Sequence, residues 1–413
     1  MVVPWIGDRR VAFVPVSNRQ VDTTVPNDFR DQVYRRAFLD PDPNGQEDNS
    51  LKGYIHQVSS GRASLTGFVF PPVVADDADV ISAGLESLPH LSLGFFDIAI
   101  HGFEFGVMVL PHSAGIHRGG FAWYPGNTVN GVSYYARVAL FTNPTLSVQQ
   151  NIGVWAMETL HMICRFGDLY FSNPPMGRFD VMSCACGPHP SAYTKNQFGW
   201  VGDSAIASHP IGTSKEYALS AVSYAQPPAP GRTTAVRINS QADSTYYMIE
   251  ARNRTDRFEG TTNVSSGIPA EGVIVYHVRN TVDLVLEGTG LTAGNQYRDT
   301  DEDFAVQVQE DIPGGYRIRV GSRPTLTCRR LRASEKALEQ SLSVEQDINR
   351  RKQIISALAK VREQIRQFGC LPVLDPGDPV VAWDESVQGR LIGSRLDEAV
   401  AAKADYDTKP TDD

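Results

Sequence analysis

The segment from residue 148 to residue 166 constrains the fold of this 413-residue chain most, because apolar residues recur there at helical spacing. Apolar side chains every three or four residues mark the buried face of a helix. This stripe consists of Ile152, Trp155, Ala156, Thr159, Leu160 and Ile163. We therefore predict a helix with one buried face over 148–166, and it includes Glu158 and His161.

Within this helix, the run Met157-Glu158-Thr159-Leu160-His161 has the pattern of a zinc site that lacks one ligand. Residues i and i+4 are neighbours on a helix, so two histidines at that spacing hold zinc together. The glutamate that follows the first histidine acts as general base for a metal-bound water. Met157 stands where the first histidine is expected, and a neutral thioether is a poor zinc ligand. The pattern predicts Glu158 as base and His161 as ligand.

A soft-metal site is an alternative interpretation of the same helix. Met157, His161 and Cys164 lie at i, i+4 and i+7, and thioether, imidazole and thiolate together suit Cu(I) better than zinc. Cys184 and Cys186 follow in the sequence and are further candidate ligands. The interpretation that the sequence favours is simpler: Met157 and Cys164 fill space beside the apolar stripe, and the other two cysteines are inert thiols behind the site.

The rest of the chain indicates an α+β protein with several parts. Buried strands are predicted at 11–16 and 95–100, within a first domain of residues 1–200. Over 201–322 strands alternate with turns, which favours a β-sandwich; the clearest are 246–249, 273–276, 304–308 and 316–320. Residues 323–372 predict a helical hairpin, with Cys328 and Cys370 at its ends as a candidate disulfide. The Pro- and Asp-rich segment 373–413 is predicted to be a disordered tail.

The composition limits the possible classes of function. A hydrophobic content of 41% and a charged content of 21% are typical of globular proteins. The net charge of −9 argues against a general binder of nucleic acid or anionic membranes. No segment approaches the ~20 apolar residues of a membrane span. The first ten residues have no basic region followed by an apolar run, so we expect no secretory signal in this sequence.

Several stretches, in their order along the chain, resemble the immune inhibitor A type of secreted zinc metallopeptidase. Residues 157–161 with 168–170 resemble its "HExxHxxGxxDLY" segment, and 177–183 resemble the Met-containing turn that follows it. The other similar stretches are 50–54, 58–62, 65–67, 192–200, 246–252 and 272–278. The resemblance covers about 50 to 320. It implies a zincin-like catalytic domain with a twisted sheet over the active-site helix, then a β-sandwich, and an extracellular location.

The resemblance also implies which residues form the site, and where this chain departs from it. Asp168 is the expected second zinc ligand beside His161, but it comes seven residues after that histidine and not six. Cys164 replaces the family's glycine, so we predict that Gly167 makes the turn, with the helix one residue longer. His189 is the first candidate for a recruited third ligand, against the alternative of an ordinary loop histidine.

Three hypotheses on function follow from these residues. The leading one is a metallopeptidase homologue whose zinc site is degraded and which acts by binding a protein or peptide. The second is a working zinc endopeptidase with a recruited ligand, and the third is a soft-metal binding protein. The resemblance implies calcium as a further cofactor, with Asp97 and Asp180 as candidates. No continuous calcium-loop motif is present, so turn-capping or solvated aspartates are favoured.

Overall fold

A computed structural model describes residues 2–18, 28–41, 45, 48–75, 103, 105–111, 120–123, 127–129, 132–134, 137–142, 148–224, 227–261, 265–299, 302–322 and 326–367. Helices and sheets are both abundant there, so the α+β prediction is confirmed. Asp97, Cys370, the strand predicted at 95–100 and the tail 373–413 lie outside the described residues, and the predictions on them stay predictions. No helix within the described ranges is long and apolar enough to cross a membrane.

A mostly parallel sheet forms the first layer. Its strands are β1 (Gly7–Asn18), β2 (Ala63–Val69), β3 (Val73–Ala75), β4 (Phe105–Pro111), β5 (Gly120–Trp123) and β8 (Arg137–Thr142). The order is β2-β1-β4-β8-β5, and β3 pairs with β1. Strands β1, β2, β4 and β8 run parallel, whereas β5 is an antiparallel strand beside β8. A separate pair is formed by β6 (Asn127–Val129) and β7 (Val132–Tyr134). The predicted strand at 11–16 lies inside β1.

In the part of the chain that the structure describes, the helices α1 (Phe29–Phe38), α2 (Leu51–Val58) and α3 (Val148–Cys164) contact this sheet, and α4 (Ala192–Gln197) follows them in the chain. The α3 helix confirms the prediction for 148–166, and every residue of its predicted stripe is buried. Trp155 of α3 stacks on Phe13 of β1, with ring centres 5.7 Å apart and planes 15° from parallel. The buried stripe thus fastens α3, with its polar residues, to the sheet.

Two further sheets follow in the chain, both antiparallel except for the parallel pair β9–β11. The five-stranded sheet has the order β14-β13-β12-β11-β9, and the four-stranded sheet has the order β10-β17-β16-β15. Their strands are β9 (Ile206–Ser208), β10 (Ser214–Ser220), β11 (Ala235–Asn239), β12 (Tyr246–Arg252), β13 (Gly272–Asn280), β14 (Asp283–Leu291), β15 (Gln296–Asp299), β16 (Phe304–Ile312) and β17 (Gly315–Ser322). Strands β12, β13, β16 and β17 contain the four segments that the alternating pattern predicts.

The five-stranded sheet is buried on both faces. Ile249 and Val275 point into a core shared with the four-stranded sheet, whereas Met248 and Ile274 belong to the core that contains α3. Strands covered on both faces have continuous apolar runs instead of alternation, and residues 273–276 are such a run. The sheet therefore holds the first layer and its helix α3 against the second half of the chain.

The last two helices within the described ranges, α5 (Leu326–Val344) and α6 (Ile348–Gln367), pack against each other. Leu331, Val361 and Ile365 form their shared apolar contact. Arg362 of α6 bonds Glu335 and Glu339 of α5 at 2.9 and 2.6 Å. Such exposed ion pairs contribute little free energy, so the apolar seam is the main contact.

Candidate functional site

His161 is held by contacts at both ring nitrogens. Its Nδ1 lies 2.5 Å from the carbonyl oxygen of Phe166, and its Nε2 lies 2.9 Å from Asp168 Oδ1. A carbonyl oxygen only accepts, so Nδ1 carries the proton of that bond. Nε2 therefore faces a carboxylate, and this contact is attractive only when Nε2 carries a proton or when a cation lies between the two atoms.

The chain reverses after α3 at Arg165, which brings Asp168 back to His161. Arg165 adopts a φ of 53°, the left-handed conformation that commonly ends a helix. The prediction that Gly167 makes this turn is wrong, because Gly167 has no positive φ, but α3 does run one residue further as expected. With the reversal at Arg165, the Asp168 carboxylate meets His161.

A second segment supports Asp168 from behind. The backbone N–H of Leu169 donates to the carbonyl of Met182 at 2.9 Å, and the Ser183 hydroxyl donates to the Leu169 carbonyl at 3.3 Å. The Tyr170 hydroxyl donates to Asp168 Oδ2 at 2.9 Å. The Met-containing turn that the sequence analysis identified therefore fixes the backbone on which Asp168 stands.

Asp180 shapes this turn, and both of its carboxylate oxygens accept hydrogen bonds from the protein. One carboxylate oxygen accepts the N–H of Met182 at 2.8 Å. The other accepts the N–H of Ser191 at 2.8 Å and the Thr194 hydroxyl at 2.6 Å. Asp180 is fully buried, so these donors replace the water it has lost. Of the two interpretations of Asp180, the turn-capping one agrees with these contacts.

Charge and burial set the protonation of the site. Burial raises the pKa of Glu158 to about 7; the His161 charge opposes this and the Asp168 charge adds to it. Burial alone would lower the pKa of His161, but the Asp168 bond and the Glu158 charge raise it overall. Burial alone would raise the pKa of Asp168, but its bond to His161 lowers it overall. At pH values between the pKa of Asp168 and the pKa of His161, His161 is an imidazolium and Asp168 is a carboxylate.

Glu158 should make the folded state less stable as the pH rises. Its pKa lies above the ordinary 4.5, so between pH 4.5 and about 7 the folded state binds the proton that the unfolded state has released. We expect the Glu158→Gln variant to lack this decline, which amounts to about 3 kcal/mol at most. Urea unfolding of both proteins at pH 4.5, 6 and 7.5 measures it; a constant difference between them would contradict the raised pKa.

Met157 and Cys164 both belong to the hydrophobic core around α3. Met157 is 5% exposed and Cys164 is fully buried. Burial raises the pKa of the Cys164 thiol, and a buried neutral thiol is a poor metal ligand because the thiolate is the form that binds. These observations favour the packing interpretation of both residues over Cu(I) ligation.

Cys184 and Cys186 form a disulfide with each other, so their interpretation as inert free thiols is wrong. Their loop approaches α3 closely, since a side chain at Gly153 would collide with the carbonyl of Ala185. Glycine is the residue that permits such an approach of two backbones. The loop therefore rests on the same helix that carries Glu158 and His161.

His189 is fully buried, and its ring contacts Asp256 and Lys195, not His161 or Asp168. Its Nε2 lies 3.1 Å from Asp256 Oδ1, and its Nδ1 lies 3.0 Å from the Lys195 ammonium. Burial lowers the pKa of Lys195 to about 7. Since both ring nitrogens of His189 are occupied, its contacts give no support to a role as recruited zinc ligand.

The donor set does not fit a catalytic zinc ion, which takes three protein ligands and a water. His161 Nε2 and the Asp168 carboxylate are two suitable donors, and Met157 is not a third. In the described part of the chain, no three His, Cys, Asp or Glu side chains come together as a metal-binding group. Nothing in the sequence indicated the roles of Arg165, the Phe166 carbonyl and Tyr170; of these only Tyr170 stands in one of the stretches that resemble the family.

The sequence matches no model of a known protein family, and a comparison with curated proteins finds no match either.

Proposed function

We propose that the chain is a metallopeptidase homologue of the immune inhibitor A type whose zinc site is degraded, and that it acts by binding a protein or peptide. Met157 carries this proposal, because it occupies the ligand position four residues before His161 with a buried, neutral thioether. A site with two donors holds zinc weakly and does not acidify water enough for Glu158 to use it. No hydrolytic step is therefore assigned to these residues.

The fold and the site support the ancestry in this proposal. We propose that the first sheet with α3 is a zincin-like domain and that the two sheets that follow it are a β-sandwich. The turn around Met182 lies behind Asp168, and the left-handed Arg165 restores the spacing that an insertion of one residue would otherwise have lost. The disulfide between Cys184 and Cys186 supports an extracellular location, because such bonds persist in oxidising compartments.

Two exposed aromatic residues next to Asp168 support the binding role. Phe171 is 79% exposed and Tyr170 is 46% exposed, with ring centres 4.5 Å apart. Aromatic side chains left in water beside a former active site are the usual anchors of protein contacts. We propose that Tyr170 and Phe171 bind the protein or peptide ligand, and that no catalytic metal takes part in this binding.

The proposal is tested by metal analysis and a casein assay on the purified chain. We expect less than one zinc per chain and no casein cleavage at neutral pH. Stoichiometric zinc together with cleavage that a chelator abolishes would overturn the proposal. Wild-type protein fixed to a resin should retain a ligand from native medium, and the Phe171→Ser variant should not retain it. Val344→Ser, which changes a similarly exposed residue on α5, is the matched control.

A working zinc endopeptidase is the second candidate, and the protonation of Glu158 favours it. A general base is most effective with a pKa near the working pH, and burial places that of Glu158 at about 7. The Nε2–Oδ1 distance of 2.9 Å at His161 and Asp168 is close to the ~3.4 Å between two ligands of one tetrahedral zinc. This candidate requires that Glu158→Ala abolish hydrolysis; unchanged turnover in that variant would dismiss it.

A further inference from the structure

A small pocket of about 250 Å³ lies away from the His161 site, where α4 meets β9, β11 and β12. It shares no lining residue with the Glu158, His161 and Asp168 group. Its floor is apolar, because Met248 and Tyr193 are buried there. Its rim is polar and reaches solvent through Asp203, Ser208 and Asn239. The volume is below the ~300 Å³ of pockets for drug-sized ligands, so it suits one residue or a similarly small group.

Arg237 is fixed inside this pocket as an oriented cation. Its guanidinium carbon lies 3.8 Å from the centre of the Tyr246 ring, and its Nε donates to Asn239 Oδ1 at 2.9 Å. These two contacts fix the orientation of the guanidinium plane, and neither of them uses the two terminal nitrogens. Within the described ranges, those nitrogens have no hydrogen-bond acceptor and no acidic partner. An oriented guanidinium fork of this kind matches a carboxylate, which it binds through two parallel bonds.

The other polar residues of the pocket limit which anion can bind. Asp203 lines the same pocket, and its Oδ1 accepts from Asn196 Nδ2 at 2.9 Å. Arg237 can neutralise only one negative charge of a ligand. A doubly charged phosphate is therefore disfavoured, because Asp203 would repel its second charge. A single carboxylate uses Arg237 fully. Asp203 and the amide of Asn239 are then placed to bond the N–H and C=O groups of an adjoining peptide, whereas Asn196 Nδ2 already donates to the Val201 carbonyl and to Asp203.

We propose that this pocket binds the carboxyl-terminal residue of a peptide chain. The terminal carboxylate pairs with Arg237, an apolar terminal side chain packs on Met248 and Tyr193, and the last amide bonds to the polar rim. Capture of a terminal carboxylate by oriented donors is a known mode of peptide recognition. Binding at this pocket does not depend on a metal at His161, so this proposal is independent of the function proposed above.

The test is a calorimetric titration of the full chain with an acetylated tripeptide that ends in leucine, as the free acid and as the amide. We expect the acid to bind and the amide to bind at least about tenfold more weakly. Arg237→Gln should weaken binding of the acid by a similar factor. Arg237→Lys should keep only part of the affinity, because it retains the charge without the fork. Arg317→Gln, which changes an arginine on β17, is the matched control and should bind as the wild type.

The proposal is overturned by any of these results: no binding of the acid at millimolar concentration, equal binding of acid and amide, or wild-type affinity in Arg237→Gln. Equal binding of free leucine and the tripeptide acid would also overturn it, since a peptide should gain contacts at the rim. The comparison of acid with amide uses wild-type protein only, so it decides the question even if a variant folds poorly. Chelator and His161→Gln should leave the affinity unchanged, which separates this result from the state of the zinc site.

Discussion

Replacing Met157 by histidine is expected to raise the zinc affinity of the chain by at least about 100-fold, since loss of even a supporting partner of a ligand costs 10–100-fold. The new imidazole would stand one helical turn before His161, on the same face of α3. With Asp168 it would complete three protein ligands, the number that a catalytic zinc requires. We also expect casein cleavage to appear, because Glu158 would then face a metal-bound water. Competition with a coloured zinc chelator measures the affinity.

Controls at the same position show whether the effect is ligation. Met157→Leu keeps an apolar side chain of similar size without a donor and should bind zinc as weakly as the wild type. The double variant Met157→His/His161→Gln should lose the gain, because one imidazole is removed again. Adding Glu158→Gln to Met157→His should keep zinc binding and abolish cleavage. An unchanged zinc affinity in Met157→His would show that Met157 does not occupy the missing ligand position.

Replacing Arg252 by methionine is expected to destabilise the fold by about 3–5 kcal/mol, the usual cost of breaking a buried ion pair. Arg252 is fully buried and contacts Glu259 through two nitrogens, at 2.5 and 2.9 Å, and Glu250 at 3.0 Å. Without the guanidinium, two buried carboxylates would lose their cation. Urea unfolding at pH 7 gives the free energy difference.

The matched control for this prediction is Arg317→Met, which removes an arginine from an exposed pair with Glu310. We expect little change there, because solvent screens exposed pairs. Arg252→Lys should fall between the two, since it keeps the charge but loses the planar fork. Equal stability of Arg252→Met and the wild type would show that this cluster does not hold the core together.

Arg252 also connects the cluster to the candidate site. Its guanidinium donates to the carbonyls of Phe179 and His189, at 2.6 and 3.2 Å, on either side of the turn that contains Met182. That turn bonds the backbone next to Asp168. The sequence pattern predicts a strand at 246–249 but not the role of Arg252, because a charged residue in a pattern does not reveal whether it faces water or the core.

The local spacing of apolar residues was enough to predict the helix α3 and four of the strands. The α3 helix and strands β12, β13, β16 and β17 agree with their expected positions, because burial of one helical face or one strand face leaves a repeat within ten or twenty residues. The left-handed turn was assigned to Gly167 on the basis of residue type. Arg165 adopts it instead, because it directly follows the last helical residue, the position where this conformation commonly ends a helix.

Long-range contacts could not be predicted in the same way. His189 was considered near the metal site because it follows the Met-containing turn, but its partner Asp256 is 67 residues away in sequence. Cys184 and Cys186 are only two residues apart, yet their pairing depends on the local path of the backbone beside α3. The Arg237 pocket is formed by α4 and three strands, and no single stretch of sequence carries its pattern.

By itself, the sequence determined which helix bears Glu158 and His161, and that Met157 stands one helical turn before His161 on the same face. Both follow from residue type at helical spacing, which is a local property. Only the tertiary structure decided that Asp168 meets His161, that His189 is occupied elsewhere and that Arg237 faces a pocket. Each of these depends on where distant parts of the chain come together, and that is set by the packing of three sheets around shared cores.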